Sequence, residues 1–355
     1  MLSSSNLKSG QADSYFEQDD YYSKEEGPGG SRWLGKGAEK LGLKGGVEKK
    51  DLSQVLKGRS PSGQLLFSRE VNQKKRRAAT DFTFSAPKSV SVAGLVRGDG
   101  RVIEAHHLAV ERTFAILEER YAETRVMPAT GRKKIGTGNL IAAVFAHGTS
   151  RAAEPQLHSH CVVMNATQVE NGKWYSFLND SAIAHKKLLG QIYQNELAVE
   201  LQKLGYEIEQ REHGQFDIKG YSKELLETFS TRRGQIEDLV AKWQATGKVL
   251  KDSNGQPISE ERLLYEAATL KTRKAKPQII EAGKLLKNWN TVLAMKGLTL
   301  PALPTETIRQ SGDAPEETTV SPNSAASSAP ETPKKKTIID DAITHCGERD
   351  AIFAH

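Results

Sequence analysis

Two spacings of hydrophobic residues alternate along the first 299 residues and predict both strands and helices. Residues 104–124 (EAHHLAVERTFAILEERYAET) and 186–205 (KKLLGQIYQNELAVELQKLG) place apolar side chains on one helical face. Gly205 suits the position that closes the second of these helices. DFTFS, residues 81–85, reads as a strand, and Pro87 after it is tolerated in the first turn of a helix.

Two further segments predict hairpins. Residues 206–218 (YEIEQREHGQFDI) should reverse direction at His213–Gly214. Residues 139–147 (NLIAAVFAH) and 157–165 (LHSHCVVMN) are apolar runs joined by the loop-forming residues GTSRAAEPQ. The segment from Gln11 to Ser23 adds a predicted helix. These elements indicate an α+β domain with helices packed against an antiparallel sheet.

The second hairpin brings three histidines together. His158 and His160 are two residues apart on a predicted strand, so their side chains point to the same face. Folding the hairpin places His147 beside them. Three neutral imidazoles on one face form a metal site with positions left for substrate oxygens. The competing interpretation is a pair of polar residues on a solvated strand face. Cys161 points to the opposite side and is assigned to the core.

The charge of the chain narrows the class of partner. The net charge is +6 at pH 7, and the excess of basic residues lies in the first 299 residues. A basic domain suits a polyanion such as nucleic acid, although a basic protein without such a partner is the alternative. Cys161 and Cys346 lie far apart and offer no disulfide framework. Because no apolar run reaches membrane-spanning length, we expect a soluble, cytoplasmic protein without membrane insertion.

Composition divides the chain into three parts. Residues 1–299 carry the predicted domain. Residues 300–336 are dense in Pro, Ser, Thr and Glu, which predicts a disordered linker. Residues 337–355 return to helical spacing and are too short to fold alone, so we interpret them as the start of a truncated second region.

A tyrosine cluster near the N-terminus supplies candidate nucleophiles. The segment SYFEQDDYY contains Tyr15, Tyr21 and Tyr22. A phenol has a pKa near 10, so it must lose its proton to act as a nucleophile. A metal bound only by neutral imidazoles keeps its positive charge and suits the oxygens of a phosphodiester. The competing interpretation of the tyrosines is core or surface packing.

Three motifs in order resemble those of one family. DSYFEQDDYY, DFTFSAPKSVS and HGTSRAAEPQLHSHCVVMNAT resemble the MobF (TrwC/TraI-like) conjugative relaxases, within the wider histidine–hydrophobic–histidine endonuclease superfamily. The resemblance continues through GKGAEKLGL and NELAVELQKLGYEIE and covers roughly the first 290 residues. It implies a five-stranded, palm-like antiparallel sheet with helices on its faces. It also implies that residues 337–355 begin a helicase-like region.

The resemblance implies an enzyme that nicks DNA at a plasmid origin of transfer and transfers the strand. Tyr15 would attack the scissile phosphate to form a 5′-phosphotyrosine and a free 3′-hydroxyl. His147, His158 and His160 would hold a divalent ion, namely Mg²⁺ or Mn²⁺, with Zn²⁺, Ni²⁺ and Co²⁺ also compatible with imidazole ligands. Asp81 would either accept the tyrosine proton or orient a metal-bound histidine, and we favour orientation.

This sequence departs from the family pattern at the first tyrosine pair. Members carry paired tyrosines at two places, whereas Tyr15 is followed here by Phe16. Tyr15 is therefore the single phenol at the first place. Tyr21 resembles the second catalytic tyrosine, and Tyr22 is its competitor for that role.

The same resemblance implies contacts with the hairpin and single strand of the transfer origin. Candidate DNA-binding residues are Lys74, Lys75, Arg76, Arg77, Lys271 and Lys274. Relaxosome accessory proteins and a type IV secretion coupling protein are implied partners, with export alongside the DNA. Two alternatives share some of these features: a DNA-binding regulator that does not cut, and a rolling-circle replication initiator.

Overall fold

A computed structural model describes residues 1–8, 30–68, 70, 72, 76–129, 131–246, 261–272 and 282–304. Residues Met1–Leu303 form one compact unit. The remaining unit, Pro304–His355, lies outside the described residues apart from Pro304. The boundaries predicted for the linker and for the C-terminal region therefore stay predictions. Among the described residues, no helix has both the length and the apolar character that crossing a membrane requires.

A five-stranded sheet forms the centre of the described unit. Its strands are β1 (Leu2–Lys8), β2 (Ser31–Leu34), β3 (Arg77–Ser85), β6 (Ala142–Thr149) and β7 (Pro155–Met164). They lie in the order β1-β3-β7-β6-β2, and every neighbouring pair is antiparallel. The predicted α+β class, the five-stranded antiparallel sheet and the β6–β7 hairpin are confirmed. β1 was not predicted, because LSSSNLK buries only Leu2 and Leu7.

Helices cover both faces of this sheet. One face packs against α3 (Lys88–Leu95), α4 (Gly100–Tyr121) and α6 (Lys186–Lys203), with Phe82 and Phe84 fully buried between the layers. On the other face, α1 (Lys36–Lys40) and α2 (Lys49–Leu56) cover one end, where a smaller apolar cluster forms around Trp33. Because side chains alternate between the two faces along each strand, one hydrophobic core lies on each face of the sheet.

Shorter elements complete the unit. The strands of three two-stranded ribbons are β4 (Glu123–Val126), β5 (Lys133–Gly136), β8 (Thr167–Gln168), β9 (Trp174–Tyr175), β10 (Ile208–Gln210) and β11 (Phe216–Ile218). The remaining helices are α5 (Asp180–Ala184), α7 (Lys223–Thr228), α8 (Thr231–Ala245), α9 (Glu261–Lys271) and α10 (Ala282–Met295).

The predicted local elements agree with the structure wherever they are described. Pro87 is the N-cap of α3, one residue before the helix begins. Gly205 follows α6 at a φ of 87°, in the left-handed region that closes helices. The predicted turn at His213–Gly214 joins β10 to β11. The helix predicted from Gln11 to Ser23 lies outside the described residues.

Candidate metal centre

Sheet geometry brings the three histidines to one point. His147 and His158 are directly opposite each other on β6 and β7, and His160 follows two residues later on the same face. Each pair of imidazole rings has a centroid separation of 5.2 Å. The potential ligand nitrogens all lie within 4.8 Å of one another. The predicted convergence of these three side chains is therefore present in the structure.

Hydrogen bonds orient two of the rings. His160 Nδ1 lies 2.7 Å from Asp81 Oδ2, on the neighbouring strand β3. His158 Nδ1 lies 2.9 Å from the backbone oxygen of Gln156, and a carbonyl only accepts, so Nδ1 carries the proton. With a proton on Nδ1 in each neutral ring, Nε2 presents its lone pair. A ring whose Nδ1–H donates to a carboxylate or a backbone carbonyl recurs among imidazole metal ligands.

Burial favours the neutral form of His147 and His158. The pKa of His147 falls to about 2, mainly through desolvation and then through its two histidine neighbours. The pKa of His158 falls to about 4, again mainly through desolvation. Neutral imidazoles whose lone pairs converge repel one another unless a cation lies between them, and the donor set is one that divalent transition metals accept. The residues present thus fit a divalent ion.

Asp81 is placed to orient His160. It is a diagonal neighbour of His160 across the β3–β7 pair, and Thr83 donates to its other carboxylate oxygen at 3.3 Å. Asp81 is only 4% exposed, so its hydrogen bonds form in a poorly hydrated environment. This geometry supports the orienting role over that of a proton acceptor. Sequence reasoning missed Thr83, although its position two residues after Asp81 on one strand places it on the same face.

We expect Asp81→Asn to weaken metal binding about 10-fold and Asp81→Ala by up to about 100-fold, the range found for partners that orient metal ligands. The amide oxygen of asparagine can still accept from His160 Nδ1 but lacks the charge. Calorimetric titration with Mn²⁺ measures both affinities, and Asp180→Asn, at an exposed aspartate, is the matched control. Unchanged affinity with lost DNA cleavage would instead identify Asp81 as the proton acceptor.

A second polar network lies on the opposite face of β7. Ser159 points away from the metal-facing side, and its hydroxyl lies 2.8 Å from His106 Nε2 on α4. His106 Nδ1 lies 2.7 Å from the hydroxyl of Tyr193 on α6. All three side chains are fully buried. Local sequence patterns gave no signal for this network, because its members come from three elements distant along the chain.

We expect the network to make the fold sensitive to acid. Burial holds the pKa of His106 well below 6.5, so below pH 6.5 the unfolded chain takes up a proton that the folded chain does not. The free energy of unfolding is therefore highest, as far as His106 is concerned, above about pH 6.5. It falls as the pH decreases, by up to about 1.4 kcal/mol per pH unit for this group. His147 and His158 act in the same direction. Urea unfolding at pH 7.5, 6.5 and 5.5, in chelator, measures the slope. His106→Gln should reduce it, and an unchanged slope would contradict the assignment.

The basic residues predicted to bind DNA have different environments. Arg76 bonds the backbone oxygens of Leu56 and Asn165, and burial with the adjacent Arg77 lowers its pKa to about 10. Arg77 bonds Asn165, Asn179 and the backbone oxygen of Phe177. Both guanidinium groups thus bond to the protein itself, and a DNA role for them stays a prediction.

Lys271 is exposed on α9, with its ammonium 5.8 Å from the centre of the Trp243 ring. Its DNA role likewise stays a prediction. Five of the predicted site residues lie outside the described residues, namely Tyr15, Tyr21, Lys74, Lys75 and Lys274.

Comparison with known proteins agrees with this fold. The family model described as TrwC relaxase matches residues 9–295. The multifunctional conjugation protein TraI of Escherichia coli is 42% identical over 253 residues, which cover 68% of this chain and 14% of TraI. The chain thus spans about one seventh of the length of that relative. The counterpart from strain K12 is 39% identical over 253 residues, with the same two coverages.

Solved structures of conjugative relaxase TrwC in complex with oriT DNA share the fold. A metal-bound form superposes with a TM-score of 0.72 at 36% identity, covering 84% of this chain and 99% of the other. A metal-free form gives 0.72 at 34% identity with the same coverage. The shared fold places this chain among the conjugative relaxases. The chain belongs to the TrwC relaxase family.

Proposed function

We propose that this chain nicks one DNA strand at a plasmid transfer origin and transfers it, through a covalent tyrosine intermediate, to initiate conjugation. The observation that carries the proposal is the convergence of His147, His158 and His160 on one sheet face, with Asp81 hydrogen-bonded to His160. The similarity to TrwC, whose structures contain oriT DNA, identifies the substrate class.

The three histidines form the proposed metal-binding site. When bound there, a divalent cation would neutralise charge on the non-bridging oxygens of the scissile phosphate. Mg²⁺ and Mn²⁺ are the proposed ions, and imidazole ligands also accept Zn²⁺, Ni²⁺ and Co²⁺. Asp81 orients His160, while the backbone oxygen of Gln156 orients His158.

Tyr15 is the proposed nucleophile. Its oxygen forms a bond to phosphorus, the bond from phosphorus to the 3′ oxygen breaks, and the proton lost by the phenol is balanced by one gained at the 3′ oxygen. The products are a 5′-phosphotyrosine and a 3′-hydroxyl. Because one ester replaces another, the step needs no energy source and can reverse. Tyr21 is the proposed second nucleophile, with Tyr22 as its competitor.

Partners and location are part of the proposal. We propose that the hairpin and single strand of the transfer origin are bound by Lys74, Lys75, Lys271 and Lys274, with Arg76 and Arg77 supporting the adjacent backbone. Relaxosome accessory proteins and a secretion coupling protein are proposed partners in the bacterial cytoplasm. Phosphate contacts of this kind should weaken steeply with added salt.

A covalent adduct assay tests the proposed function. An oligonucleotide spanning the hairpin and nick site of the cognate origin carries a fluorophore at its 3′ end, so the label stays on the protein after cleavage. We expect a labelled protein band with Mg²⁺ or Mn²⁺ and none with chelator. Oligonucleotide binding without any adduct would favour the regulator that does not cut.

A further inference from the structure

The turn between the metal-binding strands is held by distant helices. We define the histidine turn as residues 148–154, which connect His147 to the start of β7. Within it, Ser150 donates its amide to the backbone oxygen of Glu154, and the amide of Ala153 donates to that of Ser150. Ala153 has a φ of 58°, a left-handed conformation that L residues adopt when their surroundings enforce it.

One contact comes from α10. The indole nitrogen of Trp289 donates to the backbone oxygen of Ala153 at 2.8 Å. Trp289 is 7% exposed and belongs to the main hydrophobic core, together with Leu285 and Leu293 of the same helix. The contact therefore connects the residue with the unusual φ to a fixed point in the core.

Other contacts come from α8 and α3. The Glu154 carboxylate accepts from the backbone amide and the hydroxyl of Thr231, the first residue of α8. A carboxylate at a helix N-terminus is also favoured by the helix dipole. Lys88 of α3 donates to the backbone oxygen of Pro155 at 2.9 Å. Glu154 at the end of the turn and Pro155 at the start of β7 are thus both hydrogen-bonded to helices.

These contacts restrain the distance between His147 and His158, two of the proposed metal ligands. His147 immediately precedes the turn, and His158 lies three residues after Pro155. The β6–β7 register shifts between His147 and Thr149, so regular strand pairing does not by itself position this end of the hairpin. An irregular register beside two ligands needs support from elsewhere.

We propose that Trp289 and Glu154 are positioning residues, which fix the histidine turn and thereby the approach of His147 to His158 at the metal centre. The inference rests on the proposed function, because it takes the three histidines to be metal ligands. Helices that begin more than 70 residues after the histidine turn then contribute to metal affinity without touching the ion.

Two substitutions test the proposal. Trp289→Phe keeps the aromatic packing and removes the N–H donor, whereas Glu154→Gln keeps the shape and removes the charge at the start of α8. Calorimetric titration with Mn²⁺ at 20 °C, without DNA, should show about 10-fold weaker binding for each, the low end of the range for indirect ligand support. Trp243→Phe is the matched control, because Trp243 is equally buried in a separate cluster. Its affinity should stay within 2-fold of wild type.

Hydrogen exchange supplies a readout that does not need the metal. The amides of Ser150 and Ala153 should exchange at least 10-fold faster in Trp289→Phe, while those of β3 keep the wild-type rate. Unchanged affinity in both variants, or an equal loss in Trp243→Phe, would overturn the proposal. If the wild-type protein binds no Mn²⁺, the proposed function is contradicted, and so is the claim that Trp289 and Glu154 affect metal affinity. The exchange rates still decide whether Trp289 holds the turn.

Discussion

His160→Ala is expected to abolish covalent adduct formation, lowering the cleavage rate at least about 1,000-fold, while hairpin binding changes less than about 3-fold. Removing this ring leaves two imidazoles and separates Asp81 from the site, so the charge opposite the scissile phosphate is lost. Removing one group that stabilises charge in a transition state typically costs about 100- to 1,000-fold, and loss of the cation's charge is expected to cost at least the upper end of that range. The proposed DNA contacts lie elsewhere in the chain, so hairpin binding should persist.

The measurement combines the adduct assay with fluorescence anisotropy on a hairpin oligonucleotide. His185→Ala is the matched control, because His185 is exposed and stacks on Tyr121 instead of facing the metal centre. An equal loss of cleavage and hairpin binding in His160→Ala would contradict the separation of chemistry from recognition.

Tyr15→Phe is expected to remove the first-cleavage adduct completely while leaving metal affinity and hairpin binding at wild-type values. The substitution deletes one oxygen atom and keeps the ring. With Phe16 next in sequence, no adjacent phenol can replace it. Tyr21→Phe, seen in the same gel, should keep the adduct because its proposed role is the second cleavage.

A wild-type amount of adduct in Tyr15→Phe would mean that another residue is the nucleophile. Peptide mapping of the adduct by mass spectrometry then identifies that residue directly. The same mapping on the wild-type protein should place the nucleotide on the peptide that contains Tyr15.

The sequence pattern predicted the histidine hairpin because the hairpin depends only on neighbouring segments of the chain. Strand periodicity puts His158 and His160 on one face, and a loop-forming segment between two apolar runs leaves antiparallel pairing as the simplest connection. The bond from Asp81 to His160 is different, since the residues are 79 apart in sequence. It depends on β3 lying beside β7, and strand order is set by the packing of the whole domain.

Charge and composition were less informative about burial. The run at Lys74–Arg77 reads as an exposed basic patch, yet Arg76 and Arg77 bond to protein groups. Their acceptors include Asn165 and Asn179, which no local pattern connects to the run. Likewise β1 reads as polar, because an edge strand needs only two buried side chains to pair with β3.

Anomalous X-ray diffraction from crystals grown with Mn²⁺ and an uncleavable origin oligonucleotide tests the central claim most directly. One strong anomalous peak is expected about 2.0–2.3 Å from a ring nitrogen of each of His147, His158 and His160, which is the imidazole–zinc distance with the tolerance used for metal sites. A peak away from these rings, or none in a protein that still forms the adduct with Mn²⁺, would contradict it.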